Sequence, residues 1–218
     1  MKIAIHQPEH LPYFGFFNKM SKVDVFVLLD DVQFQKNGFQ NRNRIKTSQG
    51  VQWITVPVLH SFGQKINEVR IDNRSNWRRK HLQSILVNYG KAQYFEKYFP
   101  LLQEIYSREW DMLCELNITL IQLFIQEFGI KAKLVRSSSL TKTGEKNKLL
   151  ISICKTLNAT SYLSGMGAAY LDVPLFQKNS LEVEYTYFKH PQYRQLHGGF
   201  VENMSAIDLL MNECGKYL

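Results

Sequence analysis

The chain alternates short apolar strands with amphipathic helices, starting at its second residue. KIAIH (2–6) is an apolar strand, and LPYFGFFNKM (11–20) has the apolar spacing of a helix, with Pro12 tolerated in the first turn. The other predicted strands are DVFVLLDDVQF, QWITVPVL, KAKLVRSSSL, ATSYLSG and LEVEYTYF. Strands separated by helices favour parallel pairing. We therefore expect an α/β fold with a mostly parallel, Rossmann-like (nucleotidyltransferase-like) sheet.

The middle of the chain has a different pattern. Three consecutive helical stretches lie between residues 75 and 129, the first capped by Ser75 or Asn76 and closed by Gly90. We expect a helical insertion over about 75–129 that covers one face of the sheet, within a single α/β domain spanning 1–218. The polar segment GFQNRNRIKTSQG is predicted to be a loop.

Composition indicates an ordinary globular protein. Of its 218 residues, 44% are hydrophobic and 21% are charged, so disordered and fibrous classes are excluded. No apolar stretch reaches the ~18 residues of a membrane span. The apolar run before His6 is too short for a signal peptide, so we expect a cytoplasmic protein. The widely spaced Cys114, Cys154 and Cys214 favour free thiols over a disulfide or a zinc site.

The net charge of +8 favours a polyanionic partner. Nucleic acid, a membrane surface and a phosphate-bearing small molecule all satisfy this condition. In a parallel sheet, ligands bind beyond the carboxyl ends of the strands. The segments predicted to meet at that edge are HQPEH, DDVQFQKNGFQNRNR, the loop at His60, SSSLTKTGEK and SGMGAAY.

The first of these segments carries two histidines. Pro8 disfavours a helix at Gln7, so His6 and His10 do not share a helix face, and no third metal ligand is spaced nearby. No metal site is predicted. His6 is a candidate acid, base or stabiliser of charge on a transferred group. The alternative is a strand-end histidine bonded to the backbone.

Asp30 and Asp31 follow the second predicted strand. One of them could bind magnesium, a ribose or an amine. Neighbouring residues of a regular strand point to opposite faces, so we expect only one of the two to enter a pocket. Turn formation or helix capping is the alternative for both.

The segment NRNRIK alternates amide and guanidinium side chains. If it is extended, Arg42 and Arg44 project to one side and Asn41 and Asn43 to the other. Two adjacent guanidiniums match the forked geometry of a phosphate or carboxylate. A solvated basic loop is the alternative. Lys36 lies in the preceding segment and is a further candidate for phosphate or substrate binding.

Two later segments add candidates for binding phosphate or substrate. In SGMGAAY, the Gly165 and Gly167 amides could approach an anion and Ser164 could donate a hydrogen bond, although the lysine of a P-loop is missing. In KHPQYRQ, His190 and Tyr193 provide polar reach after the last strand. A packed connection fixed by proline is the alternative for this second segment.

Several motifs together resemble the WbqC-like proteins of bacteria. They are HQPEHLPYFGFFNKM, VDVFVLLDDVQFQKNGFQNRNRI, WITVPV, NWRRKHLQSI, YLSGMGAAYL and FKHPQYRQL. The resemblance implies a cytoplasmic transferase of surface-polysaccharide (O-antigen) biosynthesis that moves an acyl, aminoacyl (glycyl-type) or nucleotidyl group to or from a sugar-linked substrate. Such proteins more usually carry an aromatic residue at the position of His10, which favours His6 and Gln7 as the catalytic residues.

The donor and the cofactor stay open at this point. A nucleotide, a nucleotide-sugar or an activated acyl donor would suit the basic segments, with or without magnesium, and a homo-oligomer is compatible with the apolar helical block. Two other functions are kept as alternatives. One is a nucleic-acid-binding module, disfavoured because the basic residues are scattered over several elements. The other is a non-catalytic partner in a glycan-biosynthesis complex.

Overall fold

A parallel sheet forms the centre of the molecule. The computed structural model describes residues 1–166, 169–215 and 217. The sheet contains β1 (Lys2–His6), β2 (Val25–Leu28), β7 (Lys133–Arg136), β8 (Ser161–Gly165) and β9 (Glu182–Thr186), in the order β7-β2-β1-β8-β9. Every neighbouring pair is parallel. The expected α/β fold with a mostly parallel sheet is therefore confirmed.

Helices cover both faces of this sheet. Ile3 and Ile5 pack with α5 (Lys146–Thr156) and α6 (Val173–Lys178), whereas the alternate residue Ala4 belongs to a second, larger core. That core includes α1 (Phe14–Met20), α4 (Leu113–Glu127) and α7 (Ala206–Glu213). Because successive strand residues point to opposite faces, strands with both faces apolar must lie between two helical layers.

The three helices expected between residues 75 and 129 are present. They are α2 (Trp77–Tyr89), α3 (Phe95–Ser107) and α4. No helix of the described residues is long and apolar enough to cross a membrane. The assignment of the whole chain to one domain with an inserted helical segment stays a prediction.

The segment after β2 differs from the prediction. The expected loop contains a strand, β3 (Arg42–Thr47), and the expected third strand divides into β4 (Gly50–Thr55) and β5 (Val58–Leu59). β4 pairs antiparallel with β3, and β5 pairs antiparallel with β6 (Arg70–Ile71), so neither joins the central sheet. β3 escaped detection because polar residues occupy its buried face: Asn43 is fully buried.

The connection from β1 to α1 is longer than expected. Leu11 has a left-handed φ of 46°, and Tyr13 is extended and bridges to Ser205. The helix therefore begins at Phe14, and Pro12 lies before it instead of in its first turn. A left-handed leucine persists only where its surroundings hold it.

Two buried asparagines hold this turn. Asn43 Nδ2 donates to the carbonyls of His10 (3.1 Å) and Leu11 (2.9 Å), while Asn117 Nδ2, from α4, donates to that of Pro8 (3.3 Å). Asn117 Oδ1 also lies 3.0 Å from His10 Nδ1. Backbone carbonyls shielded from water need hydrogen-bond donors, and the two asparagine amides supply them to this turn.

Replacing Asn117 with alanine should destabilise the fold. The change leaves the Pro8 and Gln40 carbonyls and the His10 ring without the partner they now share. At 1–3 kcal/mol for each buried unpaired group, we expect the free energy of unfolding to fall by about 3 kcal/mol in urea titrations. Gln122→Ala, at an exposed position of the same helix, should stay within about 0.5 kcal/mol of wild type. Equal stability of the two variants would contradict this role.

Candidate functional site

A cavity opens where the strand order of the sheet reverses. Counted along the chain, the parallel strands lie in the order third, second, first, fourth and fifth, so the order turns between β1 and β8. Ligands of open α/β sheets bind at this switch point. A cavity of about 340 Å³, which we name the His6 chamber, lies there; its lining includes His6, Tyr13, Lys19, Gly165, Met166, Tyr187, Phe188 and Asn203.

The His6 ring is held in one tautomer. Nδ1 lies 3.2 Å from the Gln7 carbonyl oxygen, which can only accept, so Nδ1 carries the proton and Nε2 is an acceptor. The ring packs edge-on against Phe16, and 32% of the side chain stays exposed. Partial burial and the charge of Lys19 lower the pKa of His6 well below its usual value. In this tautomer Nε2 is an acceptor and can act as a base.

Glu9 and Lys19 form an ionisable pair beside this ring. Glu9 Oε1 lies 3.8 Å from His6 Nδ1, and its Oε2 is buried without a hydrogen-bond partner among the described residues. Burial raises the pKa of Glu9 to about 7 although Lys19 opposes the shift. Burial also lowers the pKa of Lys19 to about 8, against the pull of Glu9. Both groups therefore titrate close to neutral pH, which suits proton transfer.

A second cavity adjoins the first. It has a volume of about 310 Å³ and is lined by Glu9, Tyr13, Phe39, Arg44 and Asn203; we name it the Arg44 chamber. The two chambers share Tyr13 and Asn203. The Tyr13 ring packs closely over Gly15 of α1: a Cβ at this position would lie 2.3 Å from the ring. The glycine therefore lets the wall between the chambers lie against the helix.

The guanidiniums of Arg42 and Arg44 lie over one indole. They are 4.2 Å and 5.7 Å from the ring centroid of Trp53, which confirms that the two arginines project to the same side. The Nε atoms of both arginines are buried without a partner in the described part of the chain. Arg44 Nη2 donates to the Asn203 carbonyl at 3.1 Å. This stacking fixes two positive charges at the edge of the Arg44 chamber.

Asp30 and Asp31 occupy a different cluster, beside β7. Asp30 is fully buried and accepts hydrogen bonds from Arg136, Ser137 and Ser138. Burial would raise its pKa, but the bonds from Ser138 and Arg136 outweigh burial and lower it. Asp31 accepts from Ser137 and pairs with Lys142. Because β2 ends at Leu28, strand alternation does not apply to the two aspartates, and both lie within hydrogen-bond distance of the Ser137 hydroxyl. A functional role for one of them stays a prediction.

The other candidates of the early segments have structural contacts. Gln7 Oε1 accepts from Gln40 Nε2 at 2.7 Å, and Asn41 Nδ2 donates to the Val56 carbonyl at 3.0 Å. Asn43 holds the β1–α1 turn, as described above. Lys36 is exposed and lines neither chamber. A role of these residues in catalysis or substrate binding stays a prediction.

The later candidates divide between the cavity and the core. Gly165 lines the His6 chamber, and Ser164 beside it is buried. Gly167 lies outside the described residues. His190 is buried against Phe188, which lines the chamber. The Tyr193 hydroxyl donates to Asp208 at 2.7 Å. Neither His190 nor Tyr193 is among the residues that line the chamber.

His10 lies in the interior. It is fully buried between Asn117, His81 and Tyr106. Among the described residues there is no group of three His, Cys, Asp or Glu side chains placed to hold a metal. Cys114 and Cys154 are buried free thiols, and Cys214 is a partly exposed one.

Sequence reasoning missed Glu9, Lys19, Tyr13, Phe39 and Trp53. Glu9 lies in the HQPEHLP segment, between Pro8 and Pro12. A carboxylate in a turn fixed by two prolines could have been recognised from the sequence. Lys19 gave no signal, because a lysine near a helix end is ordinarily solvated; here it is 9% exposed and donates to the Ile5 carbonyl at 3.4 Å.

The fold and the two chambers define an α/β protein with an acid–base group at the switch point of a parallel sheet. The chain belongs to the WbqC-like protein family, which matches residues 7–217, so the resemblance is confirmed. It is 38% identical over 216 residues to "Uncharacterized protein Rv1507c" of Mycobacterium tuberculosis, covering 97% of this chain and 93% of that protein. No solved structure gives a significant match.

The raised pKa of Glu9 should make stability depend on pH. Its folded pKa of about 7 exceeds the model-peptide value of 4.5, so the folded state retains a proton that the unfolded chain releases. Wild type should therefore lose up to about 3 kcal/mol relative to Glu9→Gln as pH rises from 4.5 to 7. Urea titrations of both proteins across this range measure the difference. Parallel curves would show that Glu9 titrates normally.

Proposed function

We propose that the protein is a cytoplasmic transferase of surface-polysaccharide biosynthesis, with a Rossmann-like sheet, that moves an acyl or aminoacyl group onto a sugar-linked acceptor. The observation that supports this most is the neutral His6 ring beside Glu9 at the switch point. Membership of the WbqC-like family supports the wider setting. The reaction type and the substrates are inferred from the chemistry of the two chambers.

In the proposed reaction, His6 is the general base. The acceptor amine or hydroxyl lies in the His6 chamber and attacks the acyl carbonyl, while its proton passes to Nε2. The new C–N or C–O bond forms, the bond to the leaving group breaks, and the proton then passes from Nε2 to the leaving group. Glu9, 3.8 Å from Nδ1, stabilises the transient imidazolium.

The activated donor occupies the Arg44 chamber in this proposal. Arg42 and Arg44 both lie over Trp53 and can pair with a phosphate or carboxylate on the donor. Glu9 lines the same chamber, and its carboxylate can pair with an ammonium group. A small donor that carries both charges matches both partners, which favours an aminoacyl group.

Acyl transfer is preferred to nucleotidyl transfer because of the state of the aspartates. Nucleotidyl transfer ordinarily uses carboxylates to hold magnesium at the transferred phosphate. The Asp30 carboxylate accepts from four donor atoms of Arg136, Ser137 and Ser138, and Lys142 neutralises Asp31. These carboxylates are used to anchor the segment after β7, whereas the acid–base group lies at β1.

The test is a donor screen followed by turnover. Acetyl phosphate, acetyl-coenzyme A, glycyl-adenylate analogues and a nucleoside diphosphate-sugar are compared by thermal shift, since a ligand of the folded state raises its melting temperature. Product formation with amino-sugar acceptors is followed by mass spectrometry. We expect His6→Ala to lower kcat by about 100-fold or more with donor binding retained. Arg44→Gln should weaken donor binding by about 10-fold or more.

Arg108→Gln is the matched control for Arg44→Gln. Arg108 is an exposed arginine at the end of α3, paired with Glu104, and lines neither chamber. It should bind and turn over like wild type. If His6→Ala and Arg44→Gln also behave like wild type, the proposed site is wrong. Stabilisation by the nucleoside diphosphate-sugar alone would instead favour a nucleotide-dependent reaction.

A further inference from the structure

A long groove runs along α2, apart from both chambers. Its main hollow, of about 490 Å³, lies between the helix and Gln52 of β4. The helix contributes residues from Asn76 to Asn88, a length of about 18 Å at 1.5 Å per residue. A hydrogen bond of 2.8 Å from Gln52 to Ser84 joins helix and strand across it. The groove is therefore long enough for an extended ligand.

The groove leads back to the candidate site. An adjoining hollow of about 280 Å³ shares Gln52, Lys80 and Ser84 with it and reaches Trp53. The Trp53 ring is the one that Arg42 and Arg44 cover, and it lies 5.9 Å from the Phe39 ring of the Arg44 chamber. Gln52 and Trp53 are consecutive residues of β4, so their side chains point to opposite faces of the β3–β4 hairpin. A molecule lying in the groove would therefore reach the arginines by passing over the edge of β4.

The lining of the groove identifies a class of ligand. Neither hollow is lined by an acidic residue, and Arg79 and Lys80 make no ion pair with any described residue. The other polar groups of the main hollow are mostly amides: Gln52, Asn76, Gln83 and Asn88. An amide both donates and accepts, as does a sugar hydroxyl. Arg79 and Lys80 are adjacent and have no ion-pair partner among the described residues, which suits the carboxylates of an acidic sugar.

A nucleic acid fits this groove less well. Binding to single strands uses a series of cations along the backbone together with exposed aromatic platforms. Here the two cations of the main hollow, Arg79 and Lys80, are neighbours in the sequence and form no series along the groove. Of the two tryptophans that border the adjoining hollow, Trp77 is only 3% exposed and the Trp53 ring is covered by Arg42.

We propose that the groove along α2 binds an acidic oligosaccharide and holds the distal sugars of the acceptor, while its reacting end lies at the chambers. The inference rests on the proposed function only in taking the acceptor to be a glycan. It goes further in assigning a chain of several sugars, in place of a single nucleotide-linked sugar, and in giving α2 and β4 a binding role.

The test is direct binding without any donor. Tetragalacturonate, maltotetraose and a single-stranded DNA 12-mer are titrated into the full chain by calorimetry at two salt concentrations. Tetragalacturonate should bind, with maltotetraose and the DNA at least 10-fold weaker. Arg79→Gln and Gln83→Ala should each weaken tetragalacturonate binding by 5-fold or more. Both positions are exposed, so the variants should fold, and Arg108→Gln is the control.

The outcomes separate this inference from the proposed function. Absence of tetragalacturonate binding, equal binding of the DNA, or binding unaffected by Arg79→Gln would each overturn the groove assignment, whatever His6→Ala does to turnover. Turnover unaffected by His6→Ala would overturn the proposed chemistry and leave the groove assignment standing. His6→Ala itself should bind tetragalacturonate as wild type does, since His6 lines neither hollow.

Discussion

The candidate site depends on the hydrogen bonds that two buried asparagines make to the turn after β1. Asn43 comes from the β3–β4 hairpin and Asn117 from α4, so the turn is tied to both elements. These bonds hold Leu11 in its left-handed conformation. Glu9 lies inside the turn, and its distance from the His6 ring is set by that backbone path. The geometry of the acid–base group is thus a product of tertiary packing and not of β1 alone.

The central sheet could be predicted because its strands are apolar on both faces. Helices on both sides leave such strands no polar position, and runs like KIAIH and VFVLL are then easily recognised. β3 could not be found in this way. Asn43 is buried on one face of β3 and Lys46 on the other, and the polar groups of both are paired inside the protein. A strand that buries polar side chains has the sequence of a loop, and only the contacts distinguish the two.

The same reasoning explains which site residues were found. Arg42 and Arg44 were identified from their alternation, which survives in any extended segment. The roles of Asp30 and Glu9 depend on residues far along the chain. Arg136 pairs with Asp30 and Ser138 donates a hydrogen bond to it. Glu9 Oε2 has no hydrogen-bond partner among the described residues. A carboxylate surrounded by donors is stabilised as an anion, and one buried without them is driven toward its protonated form. The sequence alone does not show that the pKa of Asp30 is lowered and that of Glu9 is raised.

Lys19 gives the site a further constraint. Burial lowers the pKa of His6, and the positive charge of Lys19 adds to this effect, so His6 stays neutral and able to accept a proton. The same charge favours ionised Glu9, which is the form that stabilises an imidazolium once it exists. Lys19 therefore opposes protonation of the base before reaction while supporting its counter-ion during reaction. This balance requires the three groups to lie close together, and α1 contributes to it by placing Phe16 against the His6 ring and Lys19 against the end of β1.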